Sequence, residues 1–251
     1  MDQAIPAAIG KQSATRKLVR RVGFALSGLV ATLAILAAVV IGPLLLAPNR
    51  YEGVPSIEAR LDYRDATLMT SAWQLPVARQ YQAGGFEYQD NPSFCGPTSL
   101  ANMLKSMGTA TDQKKVIDGT ALEPWFGILV GGLTIDELAS LTRQRAGATV
   151  GIVRDPDLAQ FRAWLRRSND PRYRIIANFH RGPLFGRGHG HFSPILGYLE
   201  KQDLVLVGDV NSDYRPFLVS SERLWQATDT IDEETGKERG LIVAKVAETF
   251  S

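Results

Sequence analysis

The hydrophobic and polar positions of this chain divide it into three stretches of different character. Residues 22–48 contain no charged side chain, and residues 49–80 are mixed and polar. From about residue 81 onward, short apolar runs alternate with turn residues, which is typical of a folded domain with helices and strands. We therefore predict a linker over residues 49–69 and a folded domain over residues 70–251.

The patterns within this domain predict a helical first half followed mostly by strands. Helices are expected over residues 97–107, 134–147 with Thr134 as N-cap, 155–168 with Asp155 as cap, and 220–229. Strands are expected over residues 148–154, 172–179, 191–199, 203–210 and 240–247. The third and fourth strands are separated only by a short turn and should form a hairpin. This order predicts an α+β fold, with a helical layer packed against an antiparallel sheet.

The apolar N-terminal stretch is long enough to suggest a membrane span. A spanning helix needs roughly 20 apolar residues, whereas the apolar part of a signal peptide usually has about 7–15. Residues 1–21 carry five basic side chains against one acidic one, so the N-terminus should stay in the cytoplasm. The sequence thus predicts a basic cytoplasmic tail over 1–21 and a transmembrane anchor over 22–48. The rest of the chain would then face the periplasm of a bacterium, as a single-pass inner-membrane protein in contact with the lipid bilayer; a buried core helix is the alternative.

Charge and cysteine content exclude several classes of function. The formal net charge is +2, and because the tail contributes +4, the remainder carries −2. A body with that balance gives no electrostatic case for binding nucleic acid. The chain has one cysteine, which excludes an internal disulfide and a Cys-rich zinc site.

That single cysteine, Cys95, lies in the stretch "NPSFCGPTSLANMLKSMG", directly before a predicted helix. The positive end of a helix dipole favours a thiolate, so the position suits a nucleophile. A nucleophilic cysteine needs a base, and the base needs a third group to orient it. A lone cysteine is also common as a small buried hydrophobe, so this alternative stays open.

The partners for a nucleophile come from a distant part of the chain. All three histidines, His180, His189 and His191, lie within "NFHRGPLFGRGHGHFSP". His191 begins one strand of the predicted hairpin and Asp209 ends the next, and antiparallel neighbours place these ends side by side. Gln89 could donate its side-chain amide to an oxyanion. If these polar groups are only solvated, the chain would be a membrane-anchored binding module without catalysis.

Four separate motifs resemble the phytochelatin synthase family. They are "QDNPSFCG", "NFHRG", "GHGHFSPILGYLEKQDLVLVGDV" and "LWQATDTIDEETGKERG", and the resemblance covers roughly residues 70–246. It implies the papain-like cysteine peptidase fold of the short bacterial members. The family's nucleophile falls on Cys95, its base on His191, its orienting acid on Asp209 and its oxyanion glutamine on Gln89.

The resemblance also implies an activity. The expected enzyme is a glutathione γ-glutamylcysteinyltransferase, which releases glycine and passes γ-Glu-Cys through a thioester to a second glutathione or to water. Plant members have an arginine three residues after the orienting aspartate, where this chain has Ser212. Arg215 is the candidate to replace it in binding substrate, and the acidic partner of that arginine falls on Asp232.

The family uses cadmium or zinc mainly as metal–glutathione thiolates, either as substrate or as activator. No fixed metal site is expected, because the three histidines lack a helical i, i+4 pair. The nearest rival is a papain-like peptidase of the bacteriocin-leader type, which cuts after paired glycines.

Overall fold

The structure is a computed structural model that describes residues 22, 24, 26–37, 39, 63–122, 124, 127–129 and 131–246. The chain divides into two compact units, Met1–Glu52 and Gly53–Ser251. The described residues of the first unit are helical.

The predicted transmembrane anchor is not found. Among the residues that the structure describes, no helix combines the length and the apolar character that crossing a membrane requires. The predictions of a transmembrane helix and of a single-pass inner-membrane protein with a periplasmic domain are therefore wrong. The predicted tail over 1–21, and residues 23, 25, 38 and 40–48 of the predicted anchor, lie outside the described residues.

The described part of the second unit contains seven α-helices. Two of them, α1 and α2, precede the cysteine, and a short 3-10 turn over Pro92–Phe94 leads directly into α3. The helices are α1 (Ala66–Trp73), α2 (Pro76–Gly84), α3 (Cys95–Ser106), α4 (Ile135–Ala146), α5 (Leu158–Arg167), α6 (Gly182–Phe185) and α7 (Ser221–Thr228).

One antiparallel sheet organises this unit. Its six strands run in the spatial order β1-β6-β2-β3-β4-β5. The strands are β1 (Thr149–Val153), β2 (Tyr173–His180), β3 (Gly190–Leu199), β4 (Leu204–Val207), β5 (Phe217–Ser220) and β6 (Gly240–Lys245). The predicted hairpin is present as β3 and β4, in which Ile195 lies opposite Val207.

Both faces of the sheet are buried. On one face, Ile176 of β2 and Ile242 of β6 pack with Leu100 of α3 and Leu138 of α4 in one apolar cluster. Ile175, Ala177 and Phe179 of β2 alternate with Ile176, so they point to the other face, and they are fully buried too. Helices α5 and α7 contact each other and the adjoining strands, so they cover that second face.

The α+β fold with helices on an antiparallel sheet is thus confirmed, while several local predictions need correction. The cap of α5 is Asp157, whose carboxylate accepts the Gln160 N–H in a capping box, whereas Asp155 has a left-handed backbone with φ of 49°. Helix α1 begins within the stretch predicted as linker, and β5 was not predicted. The boundaries of linker and domain otherwise stay a prediction.

Candidate active site

Cys95 is the first residue of α3, and two contacts fix where its side chain points. The Asn91 side chain accepts the Ser93 N–H and so caps the 3-10 turn that precedes the cysteine. One helical turn after Cys95, the Ser99 hydroxyl donates to the Phe192 carbonyl at 3.0 Å. Because residues four apart share a helix face, this bond turns the Cys95 face toward β3. Cys95 as a whole is only 9% exposed.

His191 and Asp209 lie side by side at one edge of the β3–β4 hairpin, as their spacing predicted. The pairing continues past Val207, since the Gly208 N–H donates to the Pro194 carbonyl at 2.8 Å. The His191 Nε2 atom is then 3.0 Å from Asp209 Oδ1, and both side chains are buried. A carboxylate on Nε2 fixes the ring orientation and leaves Nδ1 for the other side of the imidazole.

His191 also forms a hydrogen bond with the Cys95 thiol. Burial raises the pKa of Cys95, but the hydrogen bond and the charge of His191 lower it, helped by the Phe192 N–H, and the pKa ends below its ordinary value. Burial lowers the pKa of His191, yet Asp209 and Cys95 raise it to a net value above the ordinary one. The two shifts together favour a thiolate beside an imidazolium, which is the reactive form of a cysteine nucleophile.

Asp209 is the most enclosed member of the group and has three partners. The Arg181 Nη2 atom lies 2.7 Å from both carboxylate oxygens, and the Asn211 N–H donates to Oδ1 at 2.8 Å. Burial raises the pKa of Asp209, but the charges of Arg181 and His191 outweigh it and lower the pKa to about 2. The carboxylate is therefore ionised at neutral pH.

Gln89 lies between the two halves of the site. Its backbone N–H donates to the Val210 carbonyl at 2.8 Å, next to Asp209, and its side-chain amide donates to the Asn91 carbonyl at 2.9 Å, in the cap before Cys95. Its side-chain oxygen is buried and has no hydrogen-bond partner within the described part of the chain. An amide nitrogen carries two N–H donors, so the contact with Asn91 leaves capacity for a second acceptor.

The two substrate-binding candidates are placed differently. Asp232 lies in the turn before β6, and its carboxylate is 3.5 Å from Arg239. Arg215 is on an exposed turn after Asp209, with a left-handed φ of 55°, and its charge acts on Tyr88. The cation that faces Asp232 is therefore Arg239, which the sequence interpretation overlooked.

Arg181 and Arg239 are the two site residues that the sequence interpretation missed. Arg181 is 1% exposed and Arg239 6%. Each stands at the end of a motif beside a strand, in "FHRG" and "KERG". The available signal was an arginine next to a buried strand and a glycine, within the motifs that carry the family resemblance.

The three histidines make different contacts. His180 accepts the Gly182 N–H through Nδ1 at 3.0 Å, and the His189 carbonyl accepts the Arg181 N–H. Within the described residues, no group of three or more histidine, cysteine or acidic side chains could hold a metal ion.

Comparison with known proteins places this site in a family. The sequence model described as "Phytochelatin synthase" matches residues 63–241. The chain belongs to the phytochelatin synthase family. The four motifs that suggested the family all lie within or at the edge of that match.

Curated relatives of the phytochelatin synthase family are similar over the same region. The chain is 34% identical over 175 residues to "Glutathione gamma-glutamylcysteinyltransferase 3" of Lotus japonicus, covering 64% of this chain and 36% of that protein. It is 33% identical over 170 residues to "Glutathione gamma-glutamylcysteinyltransferase 1" of Triticum aestivum, covering 63% and 34%. The chain thus spans about a third of the length of these relatives.

Solved structures give a weaker likeness. The peptidase domain of Streptococcus ComA is 17% identical with a TM-score of 0.44, covering 64% of this chain and 97% of that one. A C39-like peptidase from Bacillus anthracis is also 17% identical with a TM-score of 0.44, covering 65% and 94%. At this level of similarity, neither structure bears on the activity of this chain.

Proposed function

We propose that this protein is a γ-glutamylcysteine dipeptidyl transferase or hydrolase that acts on glutathione. The observation that carries the proposal is the row formed by Cys95, His191 and Asp209 in a phytochelatin synthase domain. A cysteine at a helix N-terminus facing a histidine on an antiparallel sheet is also the arrangement of papain-like cysteine peptidases. We therefore assign the papain-like fold as part of the same proposal.

The first half of the reaction would form an acyl-enzyme. The Cys95 sulfur attacks the carbonyl carbon between the cysteine and glycine of glutathione, and the C–N bond breaks. His191 gives its proton to the leaving glycine nitrogen, while Asp209 keeps the imidazole oriented. The product is a thioester between Cys95 and γ-Glu-Cys, with free glycine.

The second half would return the enzyme to its starting state. The neutral His191 takes a proton from the amino group of a second glutathione, or from water, as this nucleophile attacks the thioester. The thioester C–S bond breaks, and the thiolate of Cys95 and the imidazolium of His191 are restored. Transfer to glutathione lengthens the peptide, whereas transfer to water yields γ-Glu-Cys.

Gln89 would stabilise the oxyanion in both halves. Its amide is anchored beside the Cys95 helix by the bond to Asn91, so the donor is held in place before the substrate arrives. Donors fixed in advance toward the developing charge lower the barrier most.

Arg239 would bind the negative end of the γ-glutamyl group. Its Nη1 donates to the Asn178 side-chain oxygen at 2.9 Å, and a side chain at Gly190 would overlap its guanidinium. Arg239 Nε and Asn178 Nδ2 are both buried without a hydrogen-bond partner among the described residues. These donors suit a carboxylate, and Asp232 beside them suits the ammonium of the same amino acid. Arg215, on the exposed turn, remains a candidate for contacts with the acceptor.

Cadmium or zinc would take part as glutathione thiolates rather than through a fixed site. In this proposal the metal travels with the substrate or activates it, and the protein contributes the acyl-transfer machinery. Measuring turnover with glutathione alone and with added cadmium separates a substrate role from an absolute requirement.

The direct test is glycine release from glutathione by the purified full chain. The wild-type protein should release glycine, and Cys95→Ser should abolish the release because the hydroxyl is a far weaker nucleophile than a thiolate. Ser93→Cys in the Cys95→Ser background is the matched control, since it returns a thiol two residues away and should not restore activity. Absence of glycine release by wild type, both with and without cadmium, would contradict the proposal.

A further inference from the structure

We propose that Arg181 is a positioning residue of this site, which holds the Asp209 carboxylate in the one orientation that serves His191. The inference deepens the proposed function and rests on it. Arg181 immediately follows the last residue of β2 and is 1% exposed.

The contact between Arg181 and Asp209 has a geometry that fixes the carboxylate. Arg181 Nη2 lies 2.7 Å from both Asp209 oxygens, so it binds the carboxylate symmetrically. The His191 ring and the Asn211 N–H both use Oδ1. With Arg181 spanning both oxygens, the carboxylate cannot rotate without losing a short charged hydrogen bond in a site that excludes water.

The surrounding chain packs closely against the Arg181 side chain. The Arg181 guanidinium lies 3.8 Å from the centroid of the fully buried Tyr214 ring, as in a cation–π contact. At the base of the same side chain, Gly188 has a φ of +111°, and a Cβ there would be 2.7 Å from Arg181 Cβ. The glycine-rich segment between His180 and His191 is therefore folded closely over Arg181, with the Arg181 N–H donating to the His189 carbonyl at 3.1 Å.

Several charges face the thiol and the imidazole. The charges of His191 and Arg181 act on Cys95, and those of Arg181 and Asp209 act on His191. Arg239, next to β6, interacts with the charge of Cys95. Burial raises the pKa of Tyr88, and the negative charge of Asp209 adds to this rise. Arg181 lowers the pKa of Cys95 and opposes the imidazolium of His191, while Asp209 favours the imidazolium. Moving Arg181 would therefore change the ionisation of the thiol as well as the orientation of the carboxylate.

Lysine cannot reproduce this arrangement. An ammonium keeps the charge, but it lacks the flat guanidinium that lies over the Tyr214 ring while its Nη2 atom reaches both carboxylate oxygens. Arg181→Lys should thus preserve the net charge of the buried cluster but allow the Asp209 carboxylate to rotate.

The test measures the reactivity of Cys95 directly. Because Cys95 is the only cysteine, the rate of alkylation by iodoacetamide as a function of pH reports its ionisation without any substrate. In Arg181→Lys, the midpoint of this profile should move to higher pH, and kcat for glycine release should fall about 10-fold to 100-fold with KM changing far less.

Arg174→Lys is the matched control. Arg174 is also buried, at the other end of β2, and it donates to Ser106, Gln80 and the Pro171 and Tyr173 carbonyls rather than to the site. This variant should leave the alkylation midpoint unchanged even if it lowers the melting temperature. Tyr214→Leu, which removes the ring under the guanidinium but keeps Arg181 and Asp209, should shift the midpoint in the same direction as Arg181→Lys by a smaller amount.

The outcomes separate the inference from the proposed function. A shifted alkylation midpoint in Arg181→Lys and Tyr214→Leu supports the positioning role even if wild type releases no glycine from glutathione. An unchanged midpoint in both folded variants would overturn it, and so would an equal shift in Arg174→Lys. If Arg181→Lys does not fold, the decision rests on Tyr214→Leu alone.

Discussion

Replacing Asp209 by asparagine should destabilise the fold as well as impair the site. Asparagine keeps the shape of the side chain but removes the negative charge that pairs with the buried Arg181 guanidinium. At about 1.4 kcal/mol per pKa unit, the drop in the pKa of Asp209 from 3.8 to about 2 corresponds to about 2 kcal/mol of stability. A buried pair that loses one partner typically costs about 3–5 kcal/mol, because the other charge is left uncompensated. We therefore expect the free energy of unfolding at pH 7 to fall by about 2–5 kcal/mol.

The same prediction has a fixed dependence on pH. Because folding depresses the pKa of Asp209, its contribution is fully present above the ordinary carboxyl value of 3.8 and is lost as pH falls toward about 2. Urea unfolding of wild type and Asp209→Asn should therefore show a difference in stability that is constant near neutral pH. That difference should shrink between about pH 4 and pH 2.

A matched carboxylate outside the site provides the control. Asp203 accepts from Arg162 at 2.9 Å, but its side chain is 37% exposed. Asp203→Asn should lower the free energy of unfolding by less than about 1 kcal/mol, as for other exposed ion pairs. If Asp209→Asn costs no more than Asp203→Asn, or if its cost does not change with acid pH, the assignment of a buried ion pair to Arg181 and Asp209 is refuted.

Three further outcomes follow from the site. Gln89→Ala should lower kcat about 100-fold to 1,000-fold, with unchanged alkylation of Cys95, because it removes an oxyanion donor and not the nucleophile; equal kcat would exclude Gln89 from the oxyanion site. Arg239→Met should raise KM for glutathione about 10-fold to 100-fold, the worth of hydrogen bonds to a charged group, whereas Arg154→Met, which breaks a pair with Asp136 outside the site, should leave KM unchanged. The rate of glycine release should fall at acid pH as Cys95 gains its proton and at alkaline pH as His191 loses its proton. The pH range between these two losses of rate is widened by the lowered pKa of Cys95 and the raised pKa of His191. A rate that falls on only one side of the pH profile would contradict this pairing.

The meeting of His191 and Asp209 could be predicted from sequence because strand geometry is regular. Two short apolar runs joined by a tight turn can pair in few ways, and their outer ends then lie together. Cys95 could be placed at a helix start because proline and glycine follow it closely. Helix α4 also begins directly after Thr134, the predicted N-cap, and the structure adds a capping box between Thr134 and Glu137.

The arginines could not be predicted in the same way. An arginine next to a strand is usually solvated, and only the packing of Tyr214 and the close approach of Gly188 enclose Arg181. Arg239 precedes β6, and it is buried because β6 inserts between β1 and β2, a long-range pairing that no local pattern encodes. These contacts depend on topology, so a sequence pattern cannot resolve them.

The remaining errors have local causes. Asp155 and Asp157 are both suitable caps by residue type. The backbone is left-handed at Asp155, and the helix is capped by Asp157. The apolar composition of residues 22–48 favours a membrane span, but a span also requires a helix of sufficient length and apolar character, and the described residues contain none.

The most direct test of the account is to find the acyl group on Cys95. Wild-type protein mixed with glutathione, quenched in acid and digested, should give a peptide containing residue 95 that is heavier by about 232 Da, the mass of γ-Glu-Cys less water, as expected for covalent catalysis. Alkali or hydroxylamine should remove the added mass, because thioesters are labile to both. Glycine release without any adduct at residue 95, or with an adduct elsewhere in the chain, would contradict a Cys95 thioester as the central intermediate.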